Sequence, residues 1–310
     1  MKRNTAFLIN GGAGRVLCSI PALELYEKEH PEDDFIIVVE YFIELFKGHP
    51  TLYKRCYDHH HRHLYEDKLK NMNVYFPECY HVWEYFNQQA SITQAFDLLL
   101  NKKGLRPVPV PTLSLSNEET QGGIETVKTI KKDFQNKKAI VFQPFGRGSS
   151  MTPGSINNDP QGRSFSIADA VQIIRRLQRK YTVIVMSESQ IDFKLFGIKE
   201  VVPQLTNMSL RRWMGVINAA DYFLGCDSVG QHFAVSLGKK ATVVLGGTFK
   251  ENVTYPDYKN LNIIDLGEGK RMYAPIRMCS SEIADTNNEK LMTLTEANLN
   301  KIIASIDQSI

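Results

Sequence analysis

The chain has 310 residues, 43% of them hydrophobic and 23% charged, a balance that excludes a disordered protein and leaves room for two domains of ordinary size. The net charge of +3 is mildly basic, which permits a polyanionic partner without demanding one; the densest basic run, Lys128 to Lys138, reads as the solvated face of an amphipathic helix. No window approaches the roughly 18 uninterrupted apolar residues of a membrane span, and the start runs straight into a strand without the apolar stretch of a signal peptide, so a cytoplasmic protein with no integral membrane segment is expected.

Ala6 to Ile9 is a short apolar strand, broken by Asn10-Gly11-Gly12-Ala13-Gly14. A helix follows from Arg15 to Glu29, stopped at Pro31, and Phe35 to Val39 is a second strand, apolar throughout as in a covered parallel sheet. Such a β-loop-α-β unit opens a doubly wound fold. Residues 41–80 carry no clear period. Val82 to Leu100 reads as helix, the alternate prolines of Gly104 to Pro111 as an extended segment, and Glu118 to Phe134 as helix.

The alternation then restarts. Strands are expected at Ala139 to Gln143, Thr182 to Met186, Tyr222 to Leu224 and Ala241 to Leu245. Helices are expected at Ile167 to Arg179, from a Ser209 cap through Ala219, and from Gln231 to Leu237. The restart predicts an α/β chain of two Rossmann-like domains, residues 1–115 and residues 138–293, with a cleft between them. A last helix at about 294–310 is expected that can pack back on the first domain.

Several strand ends carry polar groups. Gly12 and Gly14 let a ligand approach the first helix, and Arg15 adds a forked cation. Gly225 to His232 places Asp227, Ser228, Gly230 and His232 at one loop-to-helix corner, where Asp227 and Ser228 can offer oxygens or cap the helix. Arg147 and Arg163 lie on a Gly/Pro/Ser-rich loop after the Gln143 strand; Glu188 follows another strand, and Gly247 and Thr248 a fourth. The run His59-His60-His61-Arg62-His63 lacks the spacing of a metal site and reads as a solvated loop. The five cysteines, Cys18, Cys56, Cys79, Cys226 and Cys279, are scattered and read as reduced, mostly buried thiols.

With these residues in hand, the chain resembles glycosyltransferase family 9, the lipopolysaccharide heptosyltransferases and their relatives. Pro21-Ala22-Leu23, His30-Pro31 and Val38-Val39-Glu40 are similar to the family's opening. Ala220-Asp221, Gly225 to Gly238 and Gly246-Gly247-Thr248 are similar to its block A-D, G-x-D-S/T-G-x-x-H, and G-P-T. Arg163-Ser164-Phe165 stands at the family's K-x-W-P, and Met278-Cys279 is also similar. The resemblance implies a GT-B fold and an inverting, metal-independent glycosyltransferase with no cofactor beyond its nucleotide-diphosphate sugar donor. It implies that Asp227, Ser228 and His232 hold the donor, that Arg163 meets its phosphate and that Glu188 sits near the nucleoside. The implied acceptor is a saccharide or lipid-linked saccharide.

Two departures stand out. Arg15 occupies the position of the family's acidic residue, its presumed base, and an arginine cannot deprotonate an alcohol. The base is therefore expected elsewhere, at Glu40, Asp58 or His81, with Arg15 itself facing the cleft and contacting a phosphate. Val229 replaces the motif glycine, with Gly230 one place on. These changes resemble divergent phage glycosyltransferases, which implies hydroxymethylated DNA as an alternative acceptor; a non-catalytic nucleotide-sugar binding module is the third reading.

Overall fold

The computed structural model describes residues 4–135, 137–146, 159, 161–272, 288 and 290–310. Two compact units form: the described residues of Met1–Ser114 with Glu251–Tyr255, and those of Leu115–Lys250, Pro256–Ala274 and Ala284–Ile310.

In the first unit, β1 (Thr5–Ile9), α1 (Ala13–Glu29) and β2 (Ile36–Val39) follow the expected pattern. The stretch without a clear period contributes β3 (Cys56–Asp58) and β4 (Asn73–Tyr75), joined by short turns. The four strands are parallel, in the order β3-β2-β1-β4. The expected single helix from Val82 is two: α2 (Trp83–Phe86) and α3 (Ile92–Asn101). Gln88 breaks it in a left-handed conformation, and Ser91 starts α3 with a full capping box to Gln94. Phe7, Ile37, Val39, Leu17, Leu23 and Phe96 are buried here.

Arg106 fastens the extended segment beneath this unit. It donates to both carboxylate oxygens of Asp97, at 2.6 and 2.7 Å, and to Glu29 at 2.7 Å. Asn101 bridges Asp97 and the carbonyl of Ala22.

The second unit opens with α4 (Asn117–Asp133), then β5 (Ala139–Gln143), α5 (Ile167–Leu177), β6 (Thr182–Met186), β7 (Gln204–Leu205) and α6 (Leu210–Ala219). It continues through β8 (Tyr222–Cys226), α7 (Val229–Ser236) and β9 (Ala241–Leu245) and, past α8 (Lys250–Val253), whose residues from Glu251 on join the first unit, through β10 (Leu261–Asp265) and α9 (Glu296–Asp307). The sheet is parallel, in the order β10-β9-β8-β5-β6-β7. Counted from β5 and read from the β7 edge, this is 3-2-1-4-5-6, the doubly wound order of dinucleotide-binding sheets. The strand order reverses between β5 and β8.

The last helix belongs to the second unit. Leu299, Ile302 and Ile306 form a helical stripe buried with Ile173, Ile174 and Leu177 in the core of the second unit. Polar bonds from Arg176 to Asn300 and from Lys180 to Asp307 rim that contact. The segment Glu251–Tyr255 does join the first unit: the buried Asn252 amide donates to the carbonyls of Tyr85 and Ala90, at 2.8 and 3.0 Å.

Helices α4 and α6 touch backbone to backbone, since a Cβ on Gly123 would lie 2.1 Å from the Gly215 carbonyl oxygen. Arg211 clamps the same pair through Glu119, which also completes the Ser116 capping box. The Arg211 hydrogen bond, aided by the Ser116 amide and outweighing the opposing effect of burial, holds the Glu119 carboxyl at about 2 against an ordinary 4.5. A depressed carboxylate stabilises the fold fully above its unfolded pKa and loses that contribution as pH falls through the folded one. The melting-temperature gap between wild type and Glu119→Gln should therefore be widest above about pH 5 and close toward pH 2; a gap independent of pH would show that the clamp is not ionic.

Candidate functional site

The strand-order reversal in the second sheet puts the C-terminal ends of β5 and β8 side by side, the place where open α/β sheets bind ligands. Gln143 ends β5 and spans the gap. Its Oε1 accepts the Gly230 amide at 3.0 Å, and its Nε2 donates to Ser228 Oγ at 3.2 Å. Ser228 is the N-cap of α7 but makes no side-chain cap bond to the helix. The capping alternative is thus not realised by its hydroxyl, which turns to Gln143 instead. Gly230 must be glycine here: a Cβ would sit 2.2 Å from Gln143 Oε1 and 2.7 Å from the Phe223 ring. That close approach accounts for a glycine at this position of the motif.

Asp227 is the hub of the corner. Its Oδ2 accepts Thr248 Oγ1 at 2.7 Å, its Oδ1 accepts Gln231 Nε2 at 3.3 Å, and Arg163 NH1 lies 3.9 Å away. Asp227 is buried and Arg163 half-buried, so the cation reaches the surface beside an anchored carboxylate. A second carboxylate, buried Asp159, accepts the Ser164 amide and hydroxyl, at 3.0 and 2.5 Å, and Ser164 Oγ accepts the Gly146 amide at 3.0 Å. Gly146 in turn packs its backbone 3.5 to 3.9 Å from Asp227 and Ser228, measured from the Cβ it lacks.

Gly247 completes the corner by backbone contact. Its amide donates to the Gly162 carbonyl at 2.8 Å, and a Cβ on it would fall 1.8 Å from the Gln161 carbonyl. The loop bearing Thr248 and the loop bearing Arg163 are thereby pressed together. Arg271 ties in the next strand end: its Nε donates to the Gly246 carbonyl at 2.9 Å, its NH2 pairs with Asp265, and its guanidinium lies over the Phe249 ring.

Of the donor-side residues read from the sequence, Asp227, Ser228, Gly230, Arg163, Gly247 and Thr248 come together. His232 is buried within α7. Glu188 is exposed after β6, and among the described residues no bond joins it to this group. Arg147, Met278 and Cys279 lie outside the described residues. Gln143, Asp159 and Gln231 escaped the sequence reading. The available signal was a glutamine closing an otherwise apolar strand, since a buried amide must find partners.

The first sheet reverses its order between β1 and β4. Gly12 caps α1 in extended backbone, and Gly14 is half-buried in the first turn. The demanding glycine is Gly11, with φ of +94° and its missing Cβ 2.9 Å from Arg15 Cδ. Arg15 folds back over it and is only 8% exposed. Its guanidinium donates to both Glu78 carboxylate oxygens at 3.0 to 3.3 Å and to the Pro77 carbonyl at 3.3 Å, and it lies 5.0 Å from the Tyr80 ring centroid. Burial by itself lowers the arginine pKa, but Cys79, Tyr80 and Glu78 outweigh it and hold the group above its ordinary value. The sequence expectation offers Arg15 to a phosphate; in the structure the buried guanidinium requires a counter-charge, and Glu78, three residues past β4, supplies it.

Glu40 follows β2, half-buried, and its Oε2 accepts the Gly11 amide at 3.4 Å. Asp58 is exposed at the edge strand and accepts the His60 amide. His81 is exposed on the turn beyond Glu78, and His59 to His63 are all exposed. Among the described residues no group of three or more His, Cys, Asp or Glu stands arranged to hold a metal ion, and no helix is long and apolar enough to cross a membrane. Cys18, Cys56, Cys79 and Cys226 form no disulfide among the described residues, and three of them are buried; desolvation pushes the Cys79 thiol up to about 12.

No family model matches the sequence, and no curated protein matches it. Solved structures do match. A glycosyl transferase family 9 protein from Veillonella parvula superposes with a TM-score of 0.66 at 11% identity, over 99% of this chain and 98% of that one. The ADP-heptose lipopolysaccharide heptosyltransferase II of E. coli gives 0.65 at 12% identity, over 99% of both chains. E. coli heptosyltransferase WaaC, solved with ADP, gives 0.59 at 14% identity, over 99% of this chain and all of that one. At such identities the likeness is one of architecture, and the chain has the α/β GT-B fold of these glycosyltransferases.

Proposed function

We propose that the chain is a glycosyltransferase that moves a sugar from a nucleotide-diphosphate sugar to a hydroxyl acceptor, with inversion and without a metal. The observation that carries this reading is the Asp227 corner. A buried carboxylate, a serine freed from capping, a helix N-terminus and a half-buried arginine meet at the switch point of a 3-2-1-4-5-6 sheet. The helix end and Arg163 favour an anion there, and the hydroxyls and Asp227 suit a ribose or a sugar. The same groups can neutralise a departing diphosphate, the part a divalent ion plays in other transferases. The neighbours in fold include proteins solved with ADP and described as using ADP-heptose, which makes adenine nucleotide sugars the first donors to try. The acceptor that fits best is a saccharide hydroxyl. Residues 41–85 balance six Lys and Arg against six Asp and Glu, which is not the basic footprint of a DNA groove.

A thermal-shift panel of nucleoside diphosphate sugars tests the reading. A true donor at a hundred times its dissociation constant should add about 2.7 kcal/mol of stability, and release of nucleoside diphosphate should accompany it. Stabilisation without any release would instead support the binding-module reading. Release should survive a chelator. If the chelator abolishes release and manganese or magnesium restores it, then metal independence is wrong and Arg163 is not the counter-charge.

A further inference from the structure

We infer that Glu40 is the general base of the proposed transfer, and that the Arg15–Glu78 pair is a fixed clamp rather than part of the chemistry; the inference rests on the transfer reading above. An alcohol nucleophile must lose its proton as it attacks, and a carboxylate with an open lone pair serves well. The C-terminal edge of the first sheet offers three. Asp58 stands on the outermost strand, two places from the β1–β4 reversal, exposed and bonded to the His60 amide. Glu78 is at the reversal, but its two oxygens take three hydrogen bonds from Arg15 and one from the Tyr80 amide. Both of its oxygens are thus engaged, and neither is left open toward an acceptor hydroxyl. Glu40 lies on the other side of β1, brought to the glycine loop by its single long bond to the Gly11 amide. Among the described residues no cation pairs with it, one oxygen is left without a hydrogen bond, and it is half-buried.

The clamp explains why the loop can present Glu40. Arg15 lies across Gly11, the residue whose amide Glu40 accepts, and Glu78 and Pro77 hold Arg15 in place. Glu40 takes the hydroxyl proton as the acceptor oxygen bonds to the anomeric carbon; the bond from that carbon to the diphosphate breaks, and the nucleoside diphosphate leaves with the electron pair.

The test uses the full chain with ADP-heptose as donor and water as acceptor, reading ADP release and, by calorimetry, donor affinity. Glu40→Gln keeps the Gly11 bond and removes the base. It should lower kcat by about 10²- to 10⁴-fold, leave donor affinity within about 3-fold, and abolish the rise of kcat with pH on the acid side. Glu78→Gln should lower the melting temperature yet keep that acid limb; should it not fold, the charge-free pair Arg15→Met with Glu78→Leu takes its place. Glu40→Gln working within about 3-fold of wild type, or a folded clamp variant losing kcat as severely as Glu40→Gln, overturns the assignment. Wild type that releases ADP while Glu40→Gln does too removes this inference alone; wild type that neither binds nor cleaves any nucleotide sugar removes the transfer reading with it.

Discussion

Asp227→Ala is expected to weaken nucleotide-sugar binding by about 30- to 150-fold, which corresponds to about 2–3 kcal/mol. The carboxylate is buried and accepts from Thr248 and Gln231, with Arg163 at 3.9 Å. Its loss leaves buried donors without an acceptor and turns the arginine away from a fixed neighbour, so the cost exceeds that of one surface hydrogen bond. Asp227→Asn separates charge from shape. The amide keeps one oxygen but points an N–H toward the Thr248 hydroxyl or Gln231 amide, so most of the loss should persist. Calorimetry with the donor found by thermal shift, beside a melting curve, decides the matter. An Asp227→Ala protein that folds and binds as tightly as wild type would take this corner out of the donor site.

The second large effect concerns stability. Arg106→Ala should cost about 3–5 kcal/mol, because it strands the Asp97 carboxylate, 1% exposed, without its cation. Arg106 also holds the Glu29 carboxyl below its ordinary range through a direct hydrogen bond, so the C-terminal ends of α1 and α3 lose their common tie. A drop in melting temperature of about 10 °C is expected. Adding Asp97→Asn should recover part of it, since the charge that had no partner is then gone. Should the double variant be less stable than Arg106→Ala, burial of an unpaired Asp97 is not the source of the cost.

The parts of the fold legible beforehand were those whose signal is local. Runs such as Ala139 to Gln143 and Ala241 to Leu245 read as strands and are strands, and the serine cap at Ser209 marks a real helix start. The break of the Val82 helix at Gln88 was missed because a left-handed glutamine leaves no compositional trace. β3, β4, β7 and β10 are short or half-exposed strands held by a neighbour's ladder rather than by their own residues. For the site, Asp227, Ser228, Gly230 and Thr248 could be picked out because the acid, hydroxyl and glycines crowd into strand-end loops. Gln143 stands out only as a polar end to an apolar strand; its partners depend on β5 lying next to β8, with Gly230 87 residues on.

By itself the sequence determined that this is an α/β chain built twice over, with its polar groups gathered at strand ends, because hydrophobic period and turn chemistry act over a few residues. The tertiary structure alone decided partners. It showed that Arg15 belongs to Glu78, sixty-three residues away, and that among the described residues no cation pairs with Glu40. It showed too that the last helix packs on the second sheet, where Leu299, Ile302 and Ile306 complete a core stripe. A buried charge is settled by whichever opposite charge the fold brings within about 3 Å, and a helix by the apolar surface left uncovered; neither is a property of the segment that carries it.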